Sequence, residues 1–186
     1  MKSDLGKTLI QVAPFIIALV FFSIGIKRKK INPREIGLVR PDSWIVSFMW
    51  VVGFLFLAVV IELLLNRAGL LEVTPWAYSL PITILRILCA VILAPLVEEI
   101  FFRGILLSFL QKKGLRVAFA IVLQAALFMV LHASVYENTI TGNIAIIQIF
   151  TDGLLFGMAR YYTGSLFTSM TMHILGNSIA IIERLL

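Results

Sequence analysis

Two adjacent glutamates, Glu98 and Glu99, and the only two histidines of the chain, His132 and His173, stand inside long apolar stretches. Placing an ionisable side chain within such a stretch costs at least a few kcal/mol, so each marks a functional position or needs a named partner. Glu62, Arg86, Arg103 and Asp152 share this situation. On a helix, consecutive residues point about 100° apart and residues four apart share a face. Glu99 and Arg103 can therefore neutralise each other along one helix, leaving Glu98 on another face without a local cation. Such a carboxyl suits a general base or acid near neutral pH; its structural alternative is a partner on another helix.

The histidines extend this constellation. His173 and Asn177 are four apart and share a face, while Phe128 packs one turn before His132. A single core histidine is usually just hydrogen-bonded. Two on separate apolar segments, with a carboxyl on a third, make a set that can activate water and stabilise an oxyanion. Glu62 and Arg86 sit toward the outer ends of neighbouring segments, where a structural ion pair is the simplest reading. Asp152 is read as bonding a neighbouring helix or shaping a cavity.

The remainder of the chain must position these groups. Of its 186 residues, 60% are apolar and 14% charged, and the mean hydropathy is +1.01. Soluble domains are roughly 45–50% apolar and 25% charged, so the excess apolar surface must face lipid. The expected class is an all-α, polytopic membrane bundle, because isolated strands would leave backbone groups unpaired in lipid. Six stretches approach the roughly 20 residues a crossing needs: Leu9 to Ile26, Ser43 to Leu65, Pro81 to about Leu110, Leu115 to His132, Asn143 to Tyr162 and Leu166 to Leu186. The whole chain, 1–186, reads as one membrane domain. The first stretch lacks a cleavage pattern and reads as a retained span. Cys89 is the single cysteine, so it forms no intrachain disulfide. Ser165 reads as the cap of the sixth span.

A net charge of +6 would suit nucleic acid in a soluble protein, but here the cations border apolar runs, and no nucleic-acid partner is expected. Ten cations lie on one side of the expected bundle, from Lys27 to Arg40, from Lys112 to Arg116 and at Arg160. Four (Lys2, Lys7, Arg67, Arg184) lie on the other. The positive-inside rule puts the first group in the cytoplasm and both termini outside. Counting ~1.5 Å per residue from the cytoplasmic ends puts Glu98 ~20 Å deep, His132 ~25 Å and His173 ~10 Å, with tilt left to close the spread.

Glu98-Glu99-Ile100-Phe101-Phe102-Arg103 fits EExxxR, Phe128 to His132 fits FxxxH, and His173 to Asn177 fits HxxxN. In this order on successive apolar segments, the motifs resemble those of the CAAX protease and bacteriocin-processing (CPBP, or Abi) family, which is type II CAAX-prenyl endopeptidase-like. The resemblance covers a core of 81–181. It implies an intramembrane endopeptidase acting on a peptide or membrane-protein substrate. Glu98 would activate water, Glu99 and Arg103 would support it, and His132 and His173 would position water or ligate a metal. Asn177 would help hold the oxyanion. It also implies a bacterial plasma membrane location, with a site expected to open toward the cytoplasm. Zinc bound by His132, His173 and a glutamate would be consistent with an open position for water, but the chain lacks HExxH, and a metal-free glutamate mechanism fits equally. A non-catalytic scaffold or bacteriocin self-immunity protein is the competing reading. A small transporter or proton relay could use the same ionisable residues, but nothing in the chain suggests the inverted repeats typical of transporters.

Overall fold

The computed structural model describes residues 4–71 and 73–185; Lys2 and Leu186, used above for sidedness and for the last span, lie outside them. The described residues form six helices and no strand: α1 (Asp4–Lys27), α2 (Trp44–Arg67), α3 (Leu80–Lys112), α4 (Val117–Ala133), α5 (Ile140–Thr163) and α6 (Leu166–Leu185). Each coincides with an expected span. Helices α1, α2, α3 and α5 are long and apolar enough to cross a membrane. The other two differ from them for physical reasons. Helix α4, at 17 residues, reaches only ~26 Å at 1.5 Å per residue, whereas α6 carries the polar side chains that the other helices enclose.

The distribution of side chains is that of a protein in lipid. Ile17, Phe21, Ile45 and Phe56 stand largely exposed, while the largest fully buried side chain is Arg103, and Gln124, Glu99, Thr163 and Ser169 are also fully buried. Apolar groups gain nothing by leaving lipid, whereas polar groups must find partners inside the bundle. The hydroxyls of Ser47 on α2 and Thr168 on α6 accordingly meet at 2.8 Å in a buried contact.

Small residues bring α4 and α5 together. Ala120 and Ala125 are fully buried, and a Cβ built on Gly153 would sit 3.0 Å from the Cβ and 3.1 Å from the Cα of Ala125. This is the close backbone approach by which small residues join helices where lipid supplies no hydrophobic drive.

Residues 28–43 pass beneath the start of α6. Leu166 N–H donates to the Gly37 carbonyl at 2.7 Å, Asp42 N–H to the Thr163 carbonyl at 3.0 Å, and Ser165 Oγ to the Val39 carbonyl at 2.6 Å. Ser165 Oγ also accepts from Phe167 N–H at 3.1 Å, the expected N-cap of α6. Gly37 takes φ +79°, and a Cβ there would fall 2.2 Å from the Arg160 guanidinium, so only glycine fits without strain. Ile36, Phe22, Ile100, Leu166 and Met170 form an apolar cluster above this strap. Helix α6 therefore begins inside the protein, with Leu166 fully buried. At the cation-rich end of α3, Ser108 Oγ donates to the carbonyl of Glu35, a residue of the strap, at 2.9 Å, and the Lys112 ammonium, hydrogen-bonded to the exposed Glu35 carboxylate, holds that carboxyl below its ordinary range.

Gly153→Val should separate α4 from α5 and destabilise the protein by about 1–3 kcal/mol, the usual cost of overpacking. Unfolding of the purified protein in mixed micelles measures it, and an unchanged transition would contradict the close-packing account.

Candidate active site

Helix α3 carries Glu98, Glu99 and Arg103, and it is not a uniform α-helix. Cys89–Leu93 and Ile100–Leu106 are wound as π-helix, which widens the turn and leaves carbonyls open to side chains. The first of these stretches includes Ala90, whose carbonyl accepts from Asn177 Nδ2 on α6 at 2.8 Å. Asn177 thus ties α6 to α3 with one amide hydrogen and keeps the other for the cavity.

Glu99 and Arg103 form the predicted pair, Nη1 to Oε1 2.8 Å, with both side chains fully buried. Arg103 also donates to the Gly153 carbonyl at 3.4 Å and lies over the Phe128 ring, 4.4 Å from its centroid. Gln124 Nε2 donates to the same carbonyl at 2.8 Å. Sequence reasoning passed over Gln124, although its amide was visible as the one strongly polar side chain in Val117–Leu131. The same reasoning gave Glu99 no partner but Arg103. In the structure Glu99 Oε1 also meets His173 Nδ1 at 3.0 Å.

These contacts determine how the histidines face. His132 Nδ1 lies 2.8 Å from the Phe128 carbonyl, which can only accept, so Nδ1 carries the hydrogen. His173 Nδ1 faces an ion-paired carboxylate and donates to it by the same reasoning. Both Nε2 atoms are left to Glu98: His132 Nε2 lies 3.8 Å from Oε1 and His173 Nε2 3.6 Å from Oε2. These separations exceed direct hydrogen bonds and suit a small polar group shared among the three. Phe156 stacks on His173 with centroids 5.0 Å apart, and Phe128 meets the same ring edge-on at 5.9 Å, fixing its plane. All six residues singled out from the sequence are therefore assembled here. Glu98, His132, His173 and Asn177 line the cavity, and Glu99 and Arg103 lie sealed behind it.

The depth count had spread the two histidines and Glu98 over ~15 Å. The difference arises at α6: counting from its first residue treats Leu166 as a surface position, whereas the 28–43 strap buries it. The suggested Glu62–Arg86 pair is not formed either. Helix α2 packs on α5 and α6, while α3 packs on α1 and α6. Arg86 bonds Thr8 of α1, and Glu62 lines a second cavity between α2, α5 and α6. Asp152 lines both cavities, in keeping with the cavity-shaping alternative.

The main cavity measures about 500 Å³. It runs from Glu98 and His173 past Phe15, Trp76, Tyr136 and Arg184, toward the end of the bundle that carries residues 68–71, 73–79, 134–139 and the last turn of α6. The cation-rich loops lie at the opposite end, where the buried ion pair and the Ile36 cluster fill the interior. As a metal centre the donors fit poorly: no group of three or more His, Cys, Asp or Glu among the described residues is arranged to hold an ion, and the two imidazoles approach different oxygens of Glu98.

A family model described as "Type II CAAX prenyl endopeptidase Rce1-like" matches residues 80–179, just over half of the chain. An Escherichia coli protein described as "Uncharacterized 24.3 kDa protein" is 29% identical over 143 residues, covering 74% of this chain and 64% of the relative's own length. No solved structure matches.

Arg103→Met should cost roughly 3–5 kcal/mol, because it strands the Glu99 charge in the interior. Glu99→Gln combined with Arg103→Met should recover most of that loss. Unfolding in mixed micelles tests both, and a single variant as stable as its parent would remove the ion pair from this role.

Proposed function

Because the chain belongs to the Rce1-like family of type II CAAX prenyl endopeptidases, we propose that this integral membrane protein is an intramembrane endopeptidase using Glu98 to activate water. The observation that carries the reading is the approach of two imidazoles from separate helices to one carboxylate, 3.6 and 3.8 Å away, at the wall of a cavity.

Each group has a step. A water held between Glu98 and the two Nε2 atoms gives a proton to Glu98 as its oxygen attacks a peptide carbonyl carbon. One imidazole Nε2 accepts a hydrogen bond from the remaining water O–H, which stays on the oxygen, and the second ring confines the water between itself and Glu98, so that the oxygen is aimed at the carbon. The free amide hydrogen of Asn177 donates to the carbonyl oxygen as it gains charge. When the carbon–nitrogen bond breaks, the protonated Glu98 returns its proton to the leaving amine. Glu99 acts through His173, holding its ring and tautomer, and Arg103 pairs with Glu99 and fixes it in place. No step needs a metal.

Charge distribution and the cavity lining together support one sidedness for this reading. With the cation-rich end in the cytoplasm, the mouth faces the other side of a bacterial plasma membrane, and a peptide substrate enters from there or from the lipid beside it. The supporting observation is that Trp76, Tyr136 and Arg184, from segments at the cation-poor end, line the cavity.

Glu98→Gln should lower peptide cleavage by purified protein on the order of 10²–10⁴-fold, the usual contribution of a general base, with helicity and unfolding unchanged. A chelator should leave the parent rate intact. A folded variant with undiminished cleavage eliminates the mechanism, and loss of activity with chelator, restored by zinc, returns the metal. For sidedness, single cysteines at Asn138 and Gly114 in a Cys89→Ala background can be treated with a membrane-impermeant maleimide on intact bacteria. Labelling at 138 alone is expected; labelling at 114 alone reverses the orientation.

A further inference from the structure

The mouth of the cavity holds a charge that the hydrolytic steps leave unused. Arg86 lines the same cavity as Glu98. Its Nε donates to Thr8 Oγ1 at 3.0 Å, and Thr8 is fully buried. Its guanidinium carbon lies 4.1 Å from the Tyr78 ring centroid and 5.8 Å from that of Trp76. These contacts fix the guanidinium plane while, among the described residues, hydrogen-bonding one of its three nitrogens. Among the described residues no carboxylate lies within ion-pair distance of Arg86, in contrast to Arg103, whose charge Glu99 matches at 2.8 Å. Arg184 adds a second guanidinium to the same lining, its Nη1 donating to the Thr74 carbonyl at 3.4 Å.

A cation held in place within an apolar bundle, with no internal counter-charge, is suited to an anion that arrives with a ligand. Guanidinium has the planar fork that matches carboxylate oxygens in pairs. Glu98 lies twelve residues further along the same helix, ~18 Å away at 1.5 Å per residue. An extended peptide advances ~3.3 Å per residue, so on the order of five residues bridge the two positions. We infer that Arg86 is a substrate-binding residue that receives a carboxylate of the peptide, from its C-terminus or an acidic side chain, on the order of five residues from the bond cleaved. This rests on the peptidase reading above and gives that site a specificity: the deep end supplies the acid–base group, and the mouth selects an anionic substrate and sets its register.

The test uses the full-length protein in detergent and three synthetic mixtures of randomised apolar peptides. The first ends in a free carboxylate and has no acidic side chain; the second is the same set amidated. The third is amidated and carries one Asp at varied positions. With charged hydrogen bonds contributing about 1.5 kcal/mol or more, the first or third mixture should show KM about tenfold below the second at similar kcat, and which of the two does so identifies the source of the carboxylate. In Arg86→Gln the three should converge on the amidated value, the amidated mixture being the internal control for folding. Equal KM for all three in the parent protein overturns the inference and leaves the peptidase reading standing. So does a preference that survives Arg86→Gln. The parent comparison decides even where the variant does not fold. Cleavage of none of the mixtures by the parent protein removes the peptidase reading and this inference with it.

Discussion

The buried pair between Glu99 and Arg103 is the interaction on which the other features rest. Neither side chain is exposed, and their charged atoms meet at 2.8 Å. Removing two charges from water costs several kcal/mol per ion, recovered only when geometry and additional hydrogen bonds are good. The surroundings supply both: the Gly153 carbonyl for Arg103, the Phe128 face beneath its guanidinium and His173 Nδ1 against Glu99. Each of these partners comes from a different helix. The pair therefore gathers α4, α5 and α6 around α3 at one depth.

That convergence links stability to chemistry. His173 joins the two adjacent glutamates through opposite sides of one ring, Nδ1 to Glu99 and Nε2 to Glu98. Glu99 is neutralised and enclosed; Glu98, one residue earlier, points about 100° away into the cavity, with the two imidazoles beside it. Two chemically identical side chains thus take different tasks because the helix turns between them. The close approach at Gly153 serves the same arrangement, since it brings the carbonyl shared by Arg103 and Gln124 within reach.

The two ends of the bundle are filled differently. At the cation-rich end, the 28–43 strap ties three backbone or hydroxyl bonds across the α5–α6 junction and seats Ile36 in the core. At the opposite end Trp76 N–H donates to the Arg184 carbonyl at 3.0 Å, and the cavity extends there between α1, α3, α4 and α6. A polar hollow inside a hydrocarbon layer needs such closure on one side, or the membrane would leak at that point.

Much was legible without coordinates. Long apolar runs dictated six helices in lipid, because backbone groups there must pair locally. Spacing of four joined Glu99 to Arg103, a contact within one helix that depends on nothing beyond it. The three motifs pointed to one family. What periodicity could not supply was the relative depth of separate helices. His173 reaches Glu98 because the strap sinks the start of α6, and Arg86 misses Glu62 because α1, not α2, packs on that part of α3. The π-helical turns that open the Ala90 carbonyl to Asn177, and the end at which the cavity opens, are likewise products of packing. Contacts within a helix are written in local spacing; contacts between helices depend on which surfaces meet, and only the assembled bundle decides that.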